Sequence, residues 1–202
     1  MRKSLSFVLL LVFSVPASAA ASLDLGQKLA YVRVHSLDEA IKPLAGTEAL
    51  VLDLRRVVPT PEAMTAFSTA LSARSAAARL FVLVSPDTPA AVGAALKGNL
   101  LTLGIKGSHP EPQVVVAQSS EDDQRAYDAL ASGTTLAELI SGKIEKERFD
   151  EASLVHEFKN GVAGPLSSTT TSPTGNESPA RLTDRVLQRA VHLHRALLAL
   201  KR

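Results

Sequence analysis

The sequence predicts an α/β layered domain built on a largely parallel sheet, followed by a flexible linker and a C-terminal amphipathic helix. Three short runs, EALVLDL, RLFVLV and QVVVA, have the continuous hydrophobicity of strands that are buried on both faces. Segments whose apolar residues recur at helical spacing separate these runs. Buried strands that alternate with helices are typical of α/β domains.

The elements expected from these patterns follow in chain order. Strands are expected at residues 28–36, 48–54, 79–84, 100–103 and 113–117. Helices are expected at residues 36–45, 61–77, 89–96, 121–140 and 143–159. Ser36 followed by Glu39 has the spacing of a capping box for the first helix. Gly133 is expected to divide the fourth helix.

The first residues have the three parts of a secretory signal peptide. Arg2 and Lys3 supply positive charge, an apolar run covers residues 5–15, and Ala-Ser-Ala at 17–19 has the small residues of a cleavage site. The run is shorter than the roughly 20 apolar residues that span a bilayer, so a cleaved signal is preferred over a retained anchor. We therefore expect residues 1–20 to be removed and the protein to be exported, periplasmic or extracellular.

Composition limits the partners of the mature chain. It has no Cys, so no disulfide can form, and aromatic residues are only 4% of the sequence. Single-stranded nucleic acid binds on aromatic platforms, so a nucleic-acid partner is not expected. Without Arg2 and Lys3 the chain has equal numbers of basic and acidic residues, but the last 22 residues carry a net +5 and the remainder −5. The charge split therefore favours docking of the basic end on the acidic body of the same chain or on a second copy over an anionic membrane.

The C-terminal part divides into two segments. Residues 161–180 are dominated by Ser, Thr, Pro and Gly, which is typical of a linker. The preceding residues 21–160 form the expected α/β domain. Residues 181–202 are expected to form a helix with one apolar face, made of Leu182, Val186, Ala190, Leu193, Leu197 and Leu200. The opposite face is expected to carry Arg185, Gln188, Arg189, His192 and Arg195.

Four segments in this order resemble the C-terminal processing peptidases, or tail-specific proteases, which are Ser/Lys enzymes of the ClpP/crotonase fold. They are LAYVRVHSL, ALVLDLRR, LFVLVSPDTPAAVGAAL and PEPQVVVAQSSEDDQRAYDAL, within residues 29–130. The terminal DRVLQRAVHLHRAL is also similar to the last helix of the family. The resemblance implies a ClpP/crotonase-like fold and a groove for peptides.

The sequence departs from the family where the chemistry would occur. The nucleophile of the family aligns with Ala90, and the general base is represented only by Lys106, 16 positions later in a glycine-flanked turn. Arg56-Val57-Val58-Pro59 stands where the family has glycines whose backbone helps to hold the oxyanion, and Pro59 has no N–H. Ser85 and Thr88 are the nearby hydroxyls that could replace the nucleophile, although a Ser before Pro86 is typical of a turn.

Other candidate chemistry is weaker. A metal site without Cys would need His and carboxylates. His192 and His194 are two residues apart, so on a helix they diverge by about 200° and are interpreted as surface residues. No cofactor or metal is expected.

Three functions remain open from the sequence. The leading hypothesis is an exported, non-catalytic, peptidase-like domain that binds peptides or proteins. The second is an active serine-type hydrolase that uses Ser85 or Thr88. The third is a scaffold module that attaches to a membrane surface through its basic tail helix, with the membrane the least favoured partner. Self-association through the tail helix is compatible with the first and the third.

Overall fold

The computed structural model describes residues 22–141 and 182–200. The expected signal peptide, the expected helix at 143–159 and the linker at 161–180 lie outside these ranges. Contacts divide the chain into two compact units with the boundary after Val114. The domain expected at 21–160 therefore contains this boundary.

The α/β architecture predicted from the sequence is confirmed. The strands are β1 Ser22–Asp24, β2 Leu29–Arg33, β3 Ala49–Asp53, β4 Leu80–Val84, β5 Leu101–Ile105 and β6 Val114–Val116. The helices are α1 Asp38–Leu44, α2 Pro61–Ala73, α3 Ala90–Ala95, α4 Ser120–Ala131, α5 Leu136–Ile140 and α6 Arg185–Ala199. Strand β1 was not predicted, because three exposed residues carry no hydrophobic pattern.

The sheet has six strands in the order β1-β2-β3-β4-β5-β6. Strands β2, β3, β4 and β5 run parallel to one another, and β1 is antiparallel to β2. The registers align Ala30 with Leu50 and Leu50 with Leu80, so side chains on one face form rows across the sheet. Parallel strands in unbroken order need a crossover between each pair, and α1, α2 and α3 are these crossovers.

The main hydrophobic core lies between one sheet face and helices α1 to α3. Phe67 of α2 and Leu44 of α1 pack in the same cluster as the buried strand residues Leu52 and Val82. The alternate residues of the strands, such as Val51, Phe81 and Leu83, are also buried. The prediction that residues 48–54 and 79–84 are strands buried on both faces is therefore confirmed.

The helix starts differ in part from the expected caps. The capping box expected at Ser36 and Glu39 is wrong: Leu37 is the N-cap of α1, and the Glu39 carboxylate accepts instead from the His35 N–H at 2.9 Å. A complete capping box is found at Thr135 and Glu138, at the start of α5. The division of the helix at 121–140 is confirmed, since Gly133 between α4 and α5 has a φ of +95°.

In the second unit, α6 is a helix as expected, but its buried face coincides only in part with the predicted one. Its N-cap Asp184 accepts from the Leu187 N–H, and the Asp184 N–H donates to the Leu139 carbonyl of α5. Val186 and Ala190 of the predicted apolar face are buried, but Leu197 and Leu200 are exposed.

Two polar residues of α6 are also placed differently from the prediction. Gln188, expected on the outer face, is buried and donates to the Ile140 carbonyl at 2.9 Å. His194, interpreted as a surface residue, is buried as well. The face that α6 buries is made of Val186, Leu187, Gln188, Ala190, Val191 and His194.

Candidate functional site

A buried ion pair marks the carboxyl end of β3. The Arg55 guanidinium donates to both carboxylate oxygens of Asp53, with a shortest contact of 2.7 Å between Nη2 and Oδ2. The Tyr31 hydroxyl donates to Oδ2 at 2.8 Å, and the Arg55 N–H donates to Oδ1 at 3.2 Å. Both members of the pair are almost completely enclosed. Bidentate geometry and additional donors are what a buried ion pair needs to offset its desolvation.

The same contacts set the ionisation of Asp53. Burial by itself would raise the pKa of this carboxyl, but the charge of Arg55 and hydrogen bonds from Arg55 and Tyr31 outweigh it and hold the pKa below the ordinary value. Asp53 is therefore a permanent carboxylate at neutral pH. Its acceptor capacity is directed at Arg55 and Tyr31, so it organises the end of β3.

The two candidate nucleophiles lie next to this pair, in the turn after β4. The Ser85 hydroxyl donates to the Arg55 carbonyl at 2.7 Å and accepts from the Asp87 N–H at 3.2 Å. The Thr88 hydroxyl donates to the Leu54 carbonyl at 3.3 Å and accepts from the Ser85 N–H at 2.9 Å. Ser85 is 4% exposed and Thr88 is 2% exposed. Both hydroxyls therefore link the turn after β4 to the end of β3.

This arrangement does not match that of an activated nucleophile. An activated hydroxyl donates its proton to a neighbouring base and faces the substrate. Ser85 and Thr88 donate to backbone carbonyls and are buried. Ala90 is the exposed first residue of α3 and has no nucleophilic atom. Lys106 is exposed in the turn after β5, and its ammonium has no hydrogen-bond or ion-pair partner among residues 22–141 and 182–200.

The backbone after β3 is also occupied where the family resemblance places an oxyanion site. The Val58 N–H donates to the His35 carbonyl at 2.8 Å, and Val58 bridges to Ser36 as in a parallel sheet. The Val57 N–H donates to the Leu54 carbonyl at 3.4 Å. An oxyanion site needs N–H groups that are free to point at the substrate. These two N–H groups and Pro59 cannot supply it.

A groove opens elsewhere in the first unit, beside α1, with a volume of about 870 Å3. Ser22 of β1, Ala30 and Val32 of β2 and the start of β3 contribute to its floor. One side of α1 forms a wall, and the loop at residues 46–48 forms another. We call this feature the α1 groove.

Arg74, which follows α2, holds the loop that borders the α1 groove. Its guanidinium donates to the carbonyls of Pro43, Leu44, Gly46 and Glu48 at 2.5 to 3.4 Å. Two of these carbonyls, those of Pro43 and Leu44, belong to the last turn of α1. The carbonyls of a last turn have no amide partner within their own helix. Burial lowers the pKa of Arg74 from its very high ordinary value, and the side chain stays charged at neutral pH. One cation therefore fixes the end of α1 and the loop together.

Residues 22–141 and 182–200 contain neither a cluster of metal ligands nor a helix that could span a membrane. No group of three His, Asp or Glu residues in these ranges is arranged to hold a metal ion. None of the helices in the same ranges has the length and hydrophobicity needed to cross a bilayer.

No protein family, curated protein or solved structure matches the chain.

Sequence reasoning brought attention to Ser85 and Thr88 but missed the α1 groove and Arg74. The contacts of Arg74 reach back 26 to 31 residues to four carbonyls, and a carbonyl leaves no signal in a sequence. The one available signal was an Arg in the last turn of the helix predicted at residues 61–77, shortly before a buried strand. An Arg at such a position can be exposed to solvent or can contact buried carbonyls, and the sequence does not distinguish the two.

Proposed function

We propose that this protein is an exported, non-catalytic domain of the ClpP/crotonase type that binds peptides or proteins. The observation that carries the proposal is the role of Ser85 and Thr88, whose hydroxyls donate to the Arg55 and Leu54 carbonyls. Hydroxyls that donate to backbone carbonyls stabilise the turn and are not activated for nucleophilic attack.

The order of the strands supports the fold assignment. Parallel strands β2 to β5 follow one another without a change of direction, and their crossover helices share one hydrophobic core on one sheet face. This spiral of β-α units agrees with the resemblance of the sequence to the processing peptidases. The α1 groove supports binding, because ligand sites are concave and mostly apolar with a few polar groups.

The test combines a reactivity assay with a binding assay on the chain purified from the exported fraction. The chain is treated with a fluorophosphonate probe, and labelled peptides of acidic, neutral and basic sequence are followed for cleavage and for saturable changes in anisotropy. We expect no covalent labelling, no fragments and saturable binding of at least one peptide class. Labelling or cleavage that disappears in Ser85→Ala or Thr88→Ala would establish a hydrolase instead, and a complete lack of binding would remove the binding function.

A further inference from the structure

The α1 groove occupies the position that the next helix of the layer would fill. The registers pair Ser22 with Val32 and Asp24 with Ala30, so this side of β1 and β2 continues the sheet face that α1, α2 and α3 cover. Of the helices in residues 22–141, only α1 contributes to the lining of the groove. The sheet face therefore extends beyond the helices that the described part of the chain places on it.

The dimensions of the groove fit a short helix. A helix about 10 Å in diameter with a pitch of 5.4 Å occupies roughly 400 Å3 a turn, so a volume of 870 Å3 holds about two turns. Ala30 and Ala49, which are half-buried, and exposed Ser22 are small residues that allow a helix axis to approach the sheet. Pro43 adds an apolar contact on the α1 side.

The charged residues that line the groove favour a helix with basic side chains. Asp38, Glu39 and Glu48 line it, and Lys42 is the basic residue among its lining side chains. The groove therefore has an excess of negative charge around an apolar floor. A complementary segment has an apolar stripe for the floor and Lys or Arg on its flanks.

The loop wall is held in place before any ligand arrives. Arg74 already engages the carbonyls of Gly46 and Glu48, so the loop that carries the Glu48 side chain is fixed. At Gly46 an added Cβ would lie 3.2 Å from the Pro43 carbonyl oxygen, so the turn is closely packed. A preorganised wall avoids part of the ordering cost of binding.

We infer that the α1 groove binds a basic amphipathic helix of a partner protein, which completes the helix layer over β1 and β2. This inference rests on the proposed binding function and names the ligand class and the place where it binds. The apolar stripe of the ligand packs on the strand floor, and its cations face Asp38, Glu39 and Glu48.

The test uses a synthetic fourteen-residue amphipathic peptide of Leu and Lys as the probe, with the matching peptide of Leu and Glu as its control. Binding to the chain is measured by fluorescence anisotropy. We expect Glu48→Lys to weaken binding of the Leu/Lys peptide by about three- to tenfold and Lys42→Glu to strengthen it by a similar factor. Glu111→Lys, an exposed reversal outside the groove, should change binding by less than about twofold.

The position of the bound peptide is tested by cross-linking, which the absence of Cys makes selective. Thr47→Cys lies in the groove and Ala77→Cys is exposed outside it, so each gives a single thiol for a bromoacetyl group on the Leu/Lys peptide. We expect cross-linking at residue 47 and little at residue 77. Unchanged thermal midpoints verify that all five variants, the three in the groove and the two controls, are folded.

Several outcomes would overturn the inference. Equal cross-linking at both positions, or preference for the Leu/Glu peptide, would show that the groove does not bind a basic helix. The Glu48→Lys variant could also sediment differently from the natural chain in the absence of peptide while it binds the peptide equally well. That result would assign the groove to a second copy. Saturable binding of neutral or acidic peptides only would overturn this inference while the proposed binding function stands.

Discussion

The Ser85 hydroxyl donates to the Arg55 carbonyl at 2.7 Å, so one buried hydrogen bond joins the turns that follow β4 and β3. Arg55 in turn holds Asp53 through its side chain. The candidate nucleophile is therefore part of the network that positions the buried ion pair. A residue in such a network is expected to affect stability when it is changed.

Replacement of Ser85 by Ala should lower the free energy of unfolding by about 1–3 kcal/mol, because the Arg55 carbonyl and the Asp87 N–H lose a buried partner. Urea unfolding followed by circular dichroism measures the change. Ser72→Ala is the matched control, since that exposed hydroxyl only donates to a carbonyl within α2. An unchanged stability in Ser85→Ala would contradict the structural role.

The buried pair of Asp53 and Arg55 makes a second prediction. Asp53→Asn leaves the Arg55 charge buried without its counter-ion and should cost about 3–5 kcal/mol of stability at pH 7. Arg55→Met should cost a similar amount alone but much less when Asp53→Asn is already present, because the two residues are coupled. Urea unfolding of the two single variants and the double variant gives the coupling energy.

The same pair predicts the response to acid. The pKa of Asp53 is lower in the folded chain than in the unfolded chain, so the unfolded chain takes up the proton first as the pH falls. The stabilisation from this group is complete above the ordinary carboxyl pKa and is lost as the pH falls through the folded value. Between pH 5 and pH 2.5, stability should therefore decrease less steeply in Asp53→Asn than in the natural chain. Glu111→Gln, an exposed carboxyl, should keep the natural slope.

Arg74 provides a fourth prediction, which concerns geometry rather than charge. Arg74→Lys keeps the charge but cannot reproduce a guanidinium that reaches four carbonyls, so it should destabilise the chain by about 1–3 kcal/mol. Amide exchange should rise at the end of α1 and in the loop 45–48. Lys97→Met, an exposed cation in the same unit, should leave both measurements unchanged. Equal stability of Arg74→Lys and the natural chain would show that the four contacts contribute little.

The sequence predicted the parts of the fold that depend on local hydrophobicity. The buried strands β3 and β4 are continuous apolar runs, as expected of strands that are buried on both faces. The same prediction for residues 113–117 is wrong, because Val115 of β6 is 55% exposed. Strand β1 has no such apolar run. It is a strand because its backbone pairs with β2, and its three exposed side chains give no signal in the sequence. The contacts of Ser85 and Arg74 join residues about 30 positions apart through carbonyl oxygens, so residue types alone do not reveal them.

The face that α6 buries differs from the face with the most leucines. Leu193, Leu197 and Leu200 have helical spacing, and a search for the most apolar stripe selects them. The structure instead buries Leu187, Val191 and His194, which are also three or four residues apart, and leaves Leu200 exposed. The choice is set by the contacts of Asp184 and Gln188 with the carbonyls of α5, which fix the rotation of the helix about its axis.

The rotation of α6 gives the last prediction. Leu187 is 1% exposed, whereas Leu200 is 83% exposed, so the same substitution should loosen α6 at Leu187 and have little effect at Leu200. Leu187→Asp places a charge in an apolar contact and should release α6, because a helix of this length gains most of its stability from packing. Amide exchange across residues 185–199 should then rise by at least about tenfold, as more than 1.4 kcal/mol of local stability is lost.

Leu200→Asp is the matched control, since it adds the same charge at the exposed end of the helix and should leave exchange over residues 185–195 unchanged. Gln188→Ala should give an intermediate increase, because it removes only the hydrogen bond to the Ile140 carbonyl. If Leu200→Asp released α6 and Leu187→Asp did not, the helix would bury the face expected from its leucine stripe. The polar contacts of Asp184 and Gln188 would then not determine its orientation.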